Sequence, residues 1–216
     1  MASKFSELER ASLVVLDIFK TIPELQTAKV AIIGGMALWK YLPDYRTTQV
    51  CNLRFTLSPV RANCFRDVDF CITATGAPSS VETKLLAVAN TPFKQLADLF
   101  VYDDGKQIIQ IDIVNTMQLP YLPSAAAAVN TIPTGFIPYV SEIDLIVYKI
   151  FACGLRPTAA KKQRDANDAY FLLEQQQGRP QLSSQQKECI TPALQDVIMN
   201  GSNKTDQAWW KAKLGL

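Results

Sequence analysis

The chain contains no histidine among its 216 residues. This absence excludes general acid–base catalysis by histidine, metal sites with histidine ligands and the Ser-His-Asp triad. Any catalysis must therefore use carboxylates, lysines or a bound metal ion.

Cysteine is also scarce, with five residues at positions 51, 64, 71, 153 and 189. Their number is odd and none form a Cys-x-x-Cys pair, so we expect neither a disulfide framework nor a zinc site. No stretch approaches the roughly 18 apolar residues of a membrane span, and the start, MASKFSELER, has no apolar run of signal-peptide length. We therefore expect a cytoplasmic protein with reduced thiols and no membrane association. The net charge of +2 does not by itself indicate nucleic-acid binding.

The segment RDVDFCI, residues 66–72, places two aspartates one residue apart in an apolar run. On a strand, Val68, Phe70 and Ile72 face one side, and Asp67 and Asp69 face the other. Two like charges on one face repel each other and are costly to desolvate near a core. We therefore expect a positive group between them.

A third aspartate lies on another predicted strand. The run LFVYDDGKQIIQIDIVN, residues 99–115, has the pattern of a β-hairpin around its Asp-Asp-Gly turn. In the second strand of this hairpin, three isoleucines alternate with more polar positions, among them Asp112. Asp112 is therefore predicted to face away from the apolar side.

Two glycines follow the predicted strand KVAII, residues 29–33, and precede the predicted helix MALWKYL, residues 36–42. Backbone N–H groups at such a helix N-terminus suit a phosphate group. The third glycine of the dinucleotide-binding fingerprint is missing, because Leu38 occupies its position. The turn is therefore not a dinucleotide-binding fingerprint. Its amides at a helix N-terminus still predict that Gly34 and Gly35 bind the phosphates of a nucleotide.

Helices are predicted on both sides of these strands. Ser6 and Glu9 match a capping box and predict a helix over 6–21, and a second helix is predicted near 81–90. From residue 141 the pattern becomes helical, with further helices predicted over 141–155, 159–176 and 184–199.

The three aspartates offer the oxygen ligands that a divalent cation prefers. Asp67, Asp69 and Asp112 can hold one or two Mg²⁺ or Mn²⁺ ions, which would clamp a nucleoside triphosphate for in-line attack. In the order glycine turn, Asp-x-Asp strand and aspartate strand, these features resemble the nucleotidyltransferase superfamily with its DNA polymerase β-type fold. The resemblance implies an α+β fold with a mixed sheet and flanking helices, followed by a helical C-terminal half. The predicted boundary places the catalytic core at 1–138 and the helical region at 139–216.

The segment DLIVYKIFACGLRPTAAKKQRDANDAYFLL, residues 144–173, resembles the C-terminal signature of the AbiEii-type branch of this superfamily, which includes toxins. The pattern is a helix with a lysine, a basic loop, and then a basic residue before Asp-x-x-Asp. The matching residues are Lys149, Arg156, Lys161, Arg164, Asp165 and Asp168. The resemblance implies that Lys149 and Arg164 bind the triphosphate and that Asp165 serves catalysis. The alternative is an ordinary ion pair between Lys149 and Asp165 on two packed helices.

Residues 50–66 depart from the family pattern. The glycine turn and the Asp-x-Asp strand are separated by 31 residues, and only 14 remain if these 17 residues are removed, which fits the family. The resemblance therefore implies an insertion at 50–66. It is either a genuine surface loop or a retained intron that is translated. The intron is suggested because Val50, Cys51 and Asn52 can be encoded like an intron start, and Ala62 and Asn63 like a branch site. Sequencing the messenger RNA across codons 45–70 distinguishes the two.

The predicted function is a metal-dependent nucleotidyltransferase that moves a nucleoside monophosphate from an NTP to an acceptor. Asp67 and Asp69 would hold Mg²⁺ or Mn²⁺, and Asp112 would complete the metal site or act as the base toward the acceptor. The alternative is a nucleotide-binding protein of the same fold that is catalytically impaired and acts by interaction. The sequence leaves open whether the acceptor is a tRNA, a small molecule or a protein hydroxyl.

Overall fold

The structure is a computed structural model, and it describes residues 2–43, 45 and 66–216. The predicted insertion at 50–66 lies outside these residues, apart from the backbone of its last residue. The chain divides into two compact units. The first comprises Met1–Gln118 with Ala125–Tyr139, and the second comprises Leu119–Ser124 with Val140–Leu216.

The first unit is built on a six-stranded mixed sheet. Its strands are β1 (Lys29–Ile33), β2 (Arg66–Ile72), β3 (Phe93–Leu96), β4 (Leu99–Asp103), β5 (Ile108–Asn115) and β6 (Ala127–Ala128). The strand order is β3-β4-β5-β2-β1-β6. Strands β2 and β5 are parallel neighbours, and the other named pairs are antiparallel. The predicted α+β class with a mixed sheet and flanking helices is therefore confirmed, as are the predicted strand at 29–33 and the predicted hairpin.

Three helices accompany this sheet: α1 (Ala2–Thr21), α2 (Gly34–Tyr41) and α3 (Ser79–Leu86). Helix α1 begins four residues before the predicted start, so Ser6 lies within the helix rather than at its N-cap. Phe19 of α1 packs edge-on against Phe70 of β2, with ring centroids 5.8 Å apart, and both rings are fully buried. This packing buries the apolar face of β2 and leaves the face with the aspartates on the other side.

The second unit is helical. It contains α4 (Glu142–Leu155), α5 (Ala159–Gln175), α6 (Ser184–Ile190), α7 (Leu194–Asn200) and α8 (Gln207–Leu214). Side chains cap four of these helices at the N-terminus, namely Ser141, Thr158, Ser183 and Asp206. The single helix predicted over 184–199 is two helices, because a proline at 192 has no N–H to donate and interrupts the helical hydrogen bonds. Within the described residues, no helix combines the length and the apolar character that crossing a membrane requires.

Candidate functional site

The central strands β2 and β5 bring the three predicted metal ligands together. In their parallel register Asp69 lies beside Asp112, and Asp67 lies beside Gln110. The residues between them, Val68 and Ile111, are at most 1% exposed. Since side chains alternate along a strand, burial of these apolar residues directs the carboxylates to the opposite face of the sheet.

The three carboxylates form one compact group. Asp67, Asp69 and Asp112 each offer an oxygen atom, and these oxygens all lie within 4.8 Å of one another. Asp67 is exposed, whereas Asp69 and Asp112 are half-buried. Oxygen ligands at this mutual spacing suit a divalent cation such as Mg²⁺. We call these three residues the sheet cluster.

The sheet cluster is strongly negative. Burial raises the pKa of Asp112, a hydrogen bond from Gln110 opposes this rise, and the charge of Asp67 adds to it. The pKa of Glu82 on α3 is also raised, first by burial and then by the charge of Asp112. Within the described part of the chain, neither Asp67 nor Asp112 makes an ion pair. A bound cation would relieve the repulsion among these groups.

The glycine turn lies directly against the sheet cluster. Gly34 has a φ of +68°, and a Cβ atom added to it would lie 1.9 Å from Oδ2 and 2.6 Å from Cγ of Asp69. Only glycine fits here, because any side chain would overlap the carboxylate. Gly34 and Gly35 are also the first two residues of α2, and the first amides of a helix, which have no acceptor within it, can bind an anion. The structure thus brings together the predicted phosphate-binding turn and the predicted metal ligands.

A second group of charged residues lies between α4 and α5. The Nζ atom of Lys149 is 2.8 Å from Oδ1 of Asp165 and 2.8 Å from Oδ2 of Asp168. Arg156, which follows α4, donates from Nε to Oδ2 of Asp165. Lys149 is 7% exposed, and the two aspartates are buried as well. We call these four residues the helix cluster.

The helix cluster is electrically balanced, with two cations and two carboxylates. The nearby carboxylates raise the pKa of Lys149 against the opposing effect of its burial. For Asp165, burial works to raise the pKa, but Lys149 and Arg156 outweigh it and lower the pKa below its ordinary value. Arg164, the remaining predicted nucleotide-binding residue, is exposed on α5. The predicted roles of Lys149, Asp165 and Arg164 toward a nucleotide remain predictions.

Sequence reasoning missed two neighbours of the sheet cluster. Gln110 donates from Nε2 to Oδ1 of Asp112 over 2.8 Å. This contact could have been predicted, because Gln110 lies two residues before Asp112 and therefore on the same face of the strand. Glu82 gave no comparable signal, because its approach to Asp112 depends on where α3 packs.

No protein-family model and no curated protein matches this chain. Among solved structures, it is similar to the crystal structure of an antigenic nucleotidyltransferase-like protein from Paracoccidioides brasiliensis. The TM-score is 0.56 at 16% sequence identity, over 97% of this chain and 94% of that chain. The solution structure of the antibiotic-resistance factor ANT(2'')-Ia gives a TM-score of 0.38 at 13% identity, over 87% of this chain and 92% of that one. The first comparison shows a nucleotidyltransferase-like fold, and the second carries no argument at that score.

Proposed function

We propose that this protein is a metal-dependent nucleotidyltransferase, which moves a nucleoside monophosphate from an NTP to an acceptor and releases pyrophosphate. The proposal rests on one observation. On a nucleotidyltransferase-like fold, one oxygen atom from each of three carboxylates lies within 4.8 Å of the other two, next to a glycine turn at which a helix begins. The fold alone does not determine the reaction, whereas this combination of groups suits nucleotide chemistry.

The residues present fit a divalent cation. Asp67, Asp69 and Asp112 supply only oxygen ligands, and their mutual repulsion favours a positive occupant. They would hold Mg²⁺ or Mn²⁺. Such ions, when bound, neutralise triphosphate charge and favour in-line displacement at phosphorus.

The chain's own groups then have distinct tasks. The amides of Gly34 and Gly35 bind phosphate oxygens at the N-terminus of α2, where the helix dipole favours negative charge. As the alternative to its metal role, a carboxylate oxygen of Asp112 accepts the proton of the acceptor hydroxyl, a task favoured by burial, which raises the pKa of this group above its ordinary value. Asp67 and Asp69 would hold the cation, whose charge would offset that of the triphosphate.

The finer assignment is to the AbiEii-type, toxin-like branch, in a cytoplasmic setting. It is supported by the sequence pattern that contains Lys149, Arg164 and Asp165. In this assignment the first two bind the triphosphate and Asp165 orients Lys149, an arrangement to which their 2.8 Å contact lends support. The acceptor is a tRNA, a small molecule or a protein hydroxyl.

The experiment is nucleotidyl transfer from each of four NTPs labelled at the α-phosphorus, in a cell extract with Mg²⁺. Ribonuclease, protease and size filtration assign any labelled product to one of the three acceptor classes. The wild-type protein should transfer label, and the double variant Asp67→Asn, Asp69→Asn should lose at least ~100-fold in rate, as a lost catalytic group does. The matched control is Asp17→Asn, Asp98→Asn, which removes two exposed aspartates elsewhere and should retain full activity.

Three outcomes separate the possibilities. Transfer that persists in the Asp67→Asn, Asp69→Asn variant overturns the metal role of the sheet cluster. Mg²⁺-dependent NTP binding without transfer favours the catalytically impaired binding protein. Absence of both NTP binding and transfer overturns the proposal.

A further inference from the structure

Four side chains form a two-by-two arrangement on one face of the sheet. On β2 these are Asp67 and Asp69, and on β5 they are Gln110 and Asp112. Asp67 lies beside Gln110, and Asp69 lies beside Asp112. Three of the four positions are carboxylates, which accept hydrogen bonds but cannot donate them when they are ionised. The fourth is an amide, which can donate.

The side-chain amide of Gln110 contacts one of the three proposed metal ligands, Asp112. Its Nε2 atom donates to Oδ1 of Asp112 over 2.8 Å, between two half-buried side chains. Within the described residues this is the one side-chain hydrogen bond that Asp112 accepts. Hydrogen bonds to an ionised acceptor are shorter and stronger than neutral ones. This bond therefore restricts rotation of the Asp112 carboxylate and leaves Oδ2 available to a ligand.

We propose that Gln110 is a positioning residue that fixes the Asp112 carboxylate for divalent-cation binding in the sheet cluster. The inference rests on the metal site of the proposed function, and it assigns a task to a residue outside the ligand set. A fourth carboxylate at position 110 would add to the repulsion, whereas a neutral amide stabilises Asp112 and orients it. Partners that orient metal ligands in this way typically contribute about 10–100-fold to metal affinity.

The test measures Mn²⁺ binding to the nucleotide-free protein by electron paramagnetic resonance, where the signal of free Mn²⁺ decreases on binding. Gln110→Met keeps the length of the side chain but removes the donor, and should weaken Mn²⁺ binding about 10-fold. Gln110→Thr suits a strand but cannot reach Asp112, and should give the same loss. The control is Gln95→Met on β3, because that amide is exposed and bonds a backbone carbonyl of its own turn.

A double-mutant cycle then asks whether Gln110 acts through Asp112. In an Asp112→Asn background, Gln110→Met should cause no additional loss of Mn²⁺ affinity, since the carboxylate that it orients is gone. The same loss in both backgrounds would mean that Gln110 acts elsewhere, which would overturn the inference.

The two proposals fail in different ways. Wild-type affinity in both Gln110 variants overturns the positioning role and leaves the proposed function intact. Absence of Mn²⁺ binding in the wild-type protein overturns the metal site, and the positioning role with it. Mn²⁺ binding without nucleotidyl transfer contradicts the proposed reaction only.

Discussion

The molecule contains two groups of aspartates, and within the described residues they differ in the cations that contact Asp67 and Asp112 on one side and Asp165 and Asp168 on the other. In the helix cluster, Asp165 and Asp168 share the ammonium group of Lys149, and Asp165 also accepts from Arg156. In the sheet cluster, three carboxylates come within 4.8 Å, and neither Asp67 nor Asp112 makes an ion pair within the described residues. The aspartates are the same residue type, but within the described residues the electrostatic environments of Asp67 and Asp112 differ from those of Asp165 and Asp168.

The difference indicates what each cluster contributes. A buried carboxylate with resident cations is stable without a ligand, and removing one partner leaves an uncompensated charge in the interior. Carboxylates that repel one another weaken the folded state until a cation binds, so they are maintained at the expense of stability. We therefore expect mutations in the helix cluster to affect mainly stability. Mutations in the sheet cluster should affect mainly ligand binding.

The largest expected effect is on Lys149. Lys149→Met fills a similar volume but leaves Asp165 and Asp168 buried without their shared cation, so the free energy of unfolding should fall by about 3–5 kcal/mol. Denaturation in urea measures this loss. The control is Lys211→Ala on α8, an exposed lysine whose removal should change stability by no more than about 0.5 kcal/mol.

The same variant tests the role implied by the family resemblance. If Lys149 binds the triphosphate, Lys149→Met should also weaken Mg²⁺-NTP binding under conditions where the variant is folded. A variant as stable as the wild type, but deficient in nucleotide binding, would break the comparison between the two clusters.

A smaller effect is expected at Gly34, where stability and ligand binding can be separated. Gly34→Ala places a methyl group where the Asp69 carboxylate lies, and a left-handed backbone costs alanine about 1–2 kcal/mol. Gly135→Ala is the control, because its φ of +76° imposes the same backbone cost with no atom within 4 Å of the added Cβ. Gly34→Ala should lose more stability in urea than Gly135→Ala, because the Asp69 carboxylate must also move away from the added methyl group. Mn²⁺ affinity should fall about 10-fold or more in Gly34→Ala only, as expected when a metal ligand is displaced. Equal affinities in the two variants would contradict the coupling of the glycine turn to Asp69.

Much of the sheet cluster could be predicted from the sequence, because strand periodicity is a local property. Alternation of apolar and acidic residues is enough to place Asp67 and Asp69 on one face, and a turn sequence is enough to identify the hairpin that carries Asp112. The contact of Gly34 with Asp69 could not be predicted in the same way. It depends on the pairing of β1 with β2, where Ile33 lies opposite Asp69.

The missed elements share a physical cause, which is a weak burial signal. Strand β3 buries only Phe93 of its four residues, and β6 consists of two half-buried alanines. Such strands are stabilised by pairing with neighbours, and their own sequences contain little pattern. In the helix cluster, the ion pair of Lys149 with Asp165 is the one that the sequence analysis gave as the alternative, whereas the contacts of Asp168 and Arg156 depend on how α4 packs against α5. The division between α6 and α7 is different, because the proline that causes it was visible in the sequence.

The smallest expected effect has the opposite sign to the first. In the metal-free protein, Asp112→Asn should raise the free energy of unfolding at pH 7, by up to the roughly 1 kcal/mol typical of charge interactions at partly exposed sites. The reason is the raised pKa of Asp112, because a carboxyl group whose folded-state pKa exceeds its unfolded value destabilises the fold once it ionises. Saturating Mn²⁺ should reverse the order, since only the wild type has the complete set of three carboxylates.

The pH dependence of this gain provides a second, independent check against the helix cluster. The advantage of Asp112→Asn should be absent below pH 3.8, where Asp112 is protonated in both states, and should develop as the pH rises through its raised folded pKa.

For Asp165, whose pKa is lowered, the sign is reversed: Asp165→Asn should be less stable than the wild type at pH 7. This deficit should disappear as the pH falls below 3.8, through the lowered folded pKa. Urea melts of both variants and the wild type between pH 3 and 7 would show two difference curves of opposite sign. A stabilising effect of both substitutions at pH 7 would mean that resident cations do not balance the helix cluster, and the distinction between the two clusters would fail.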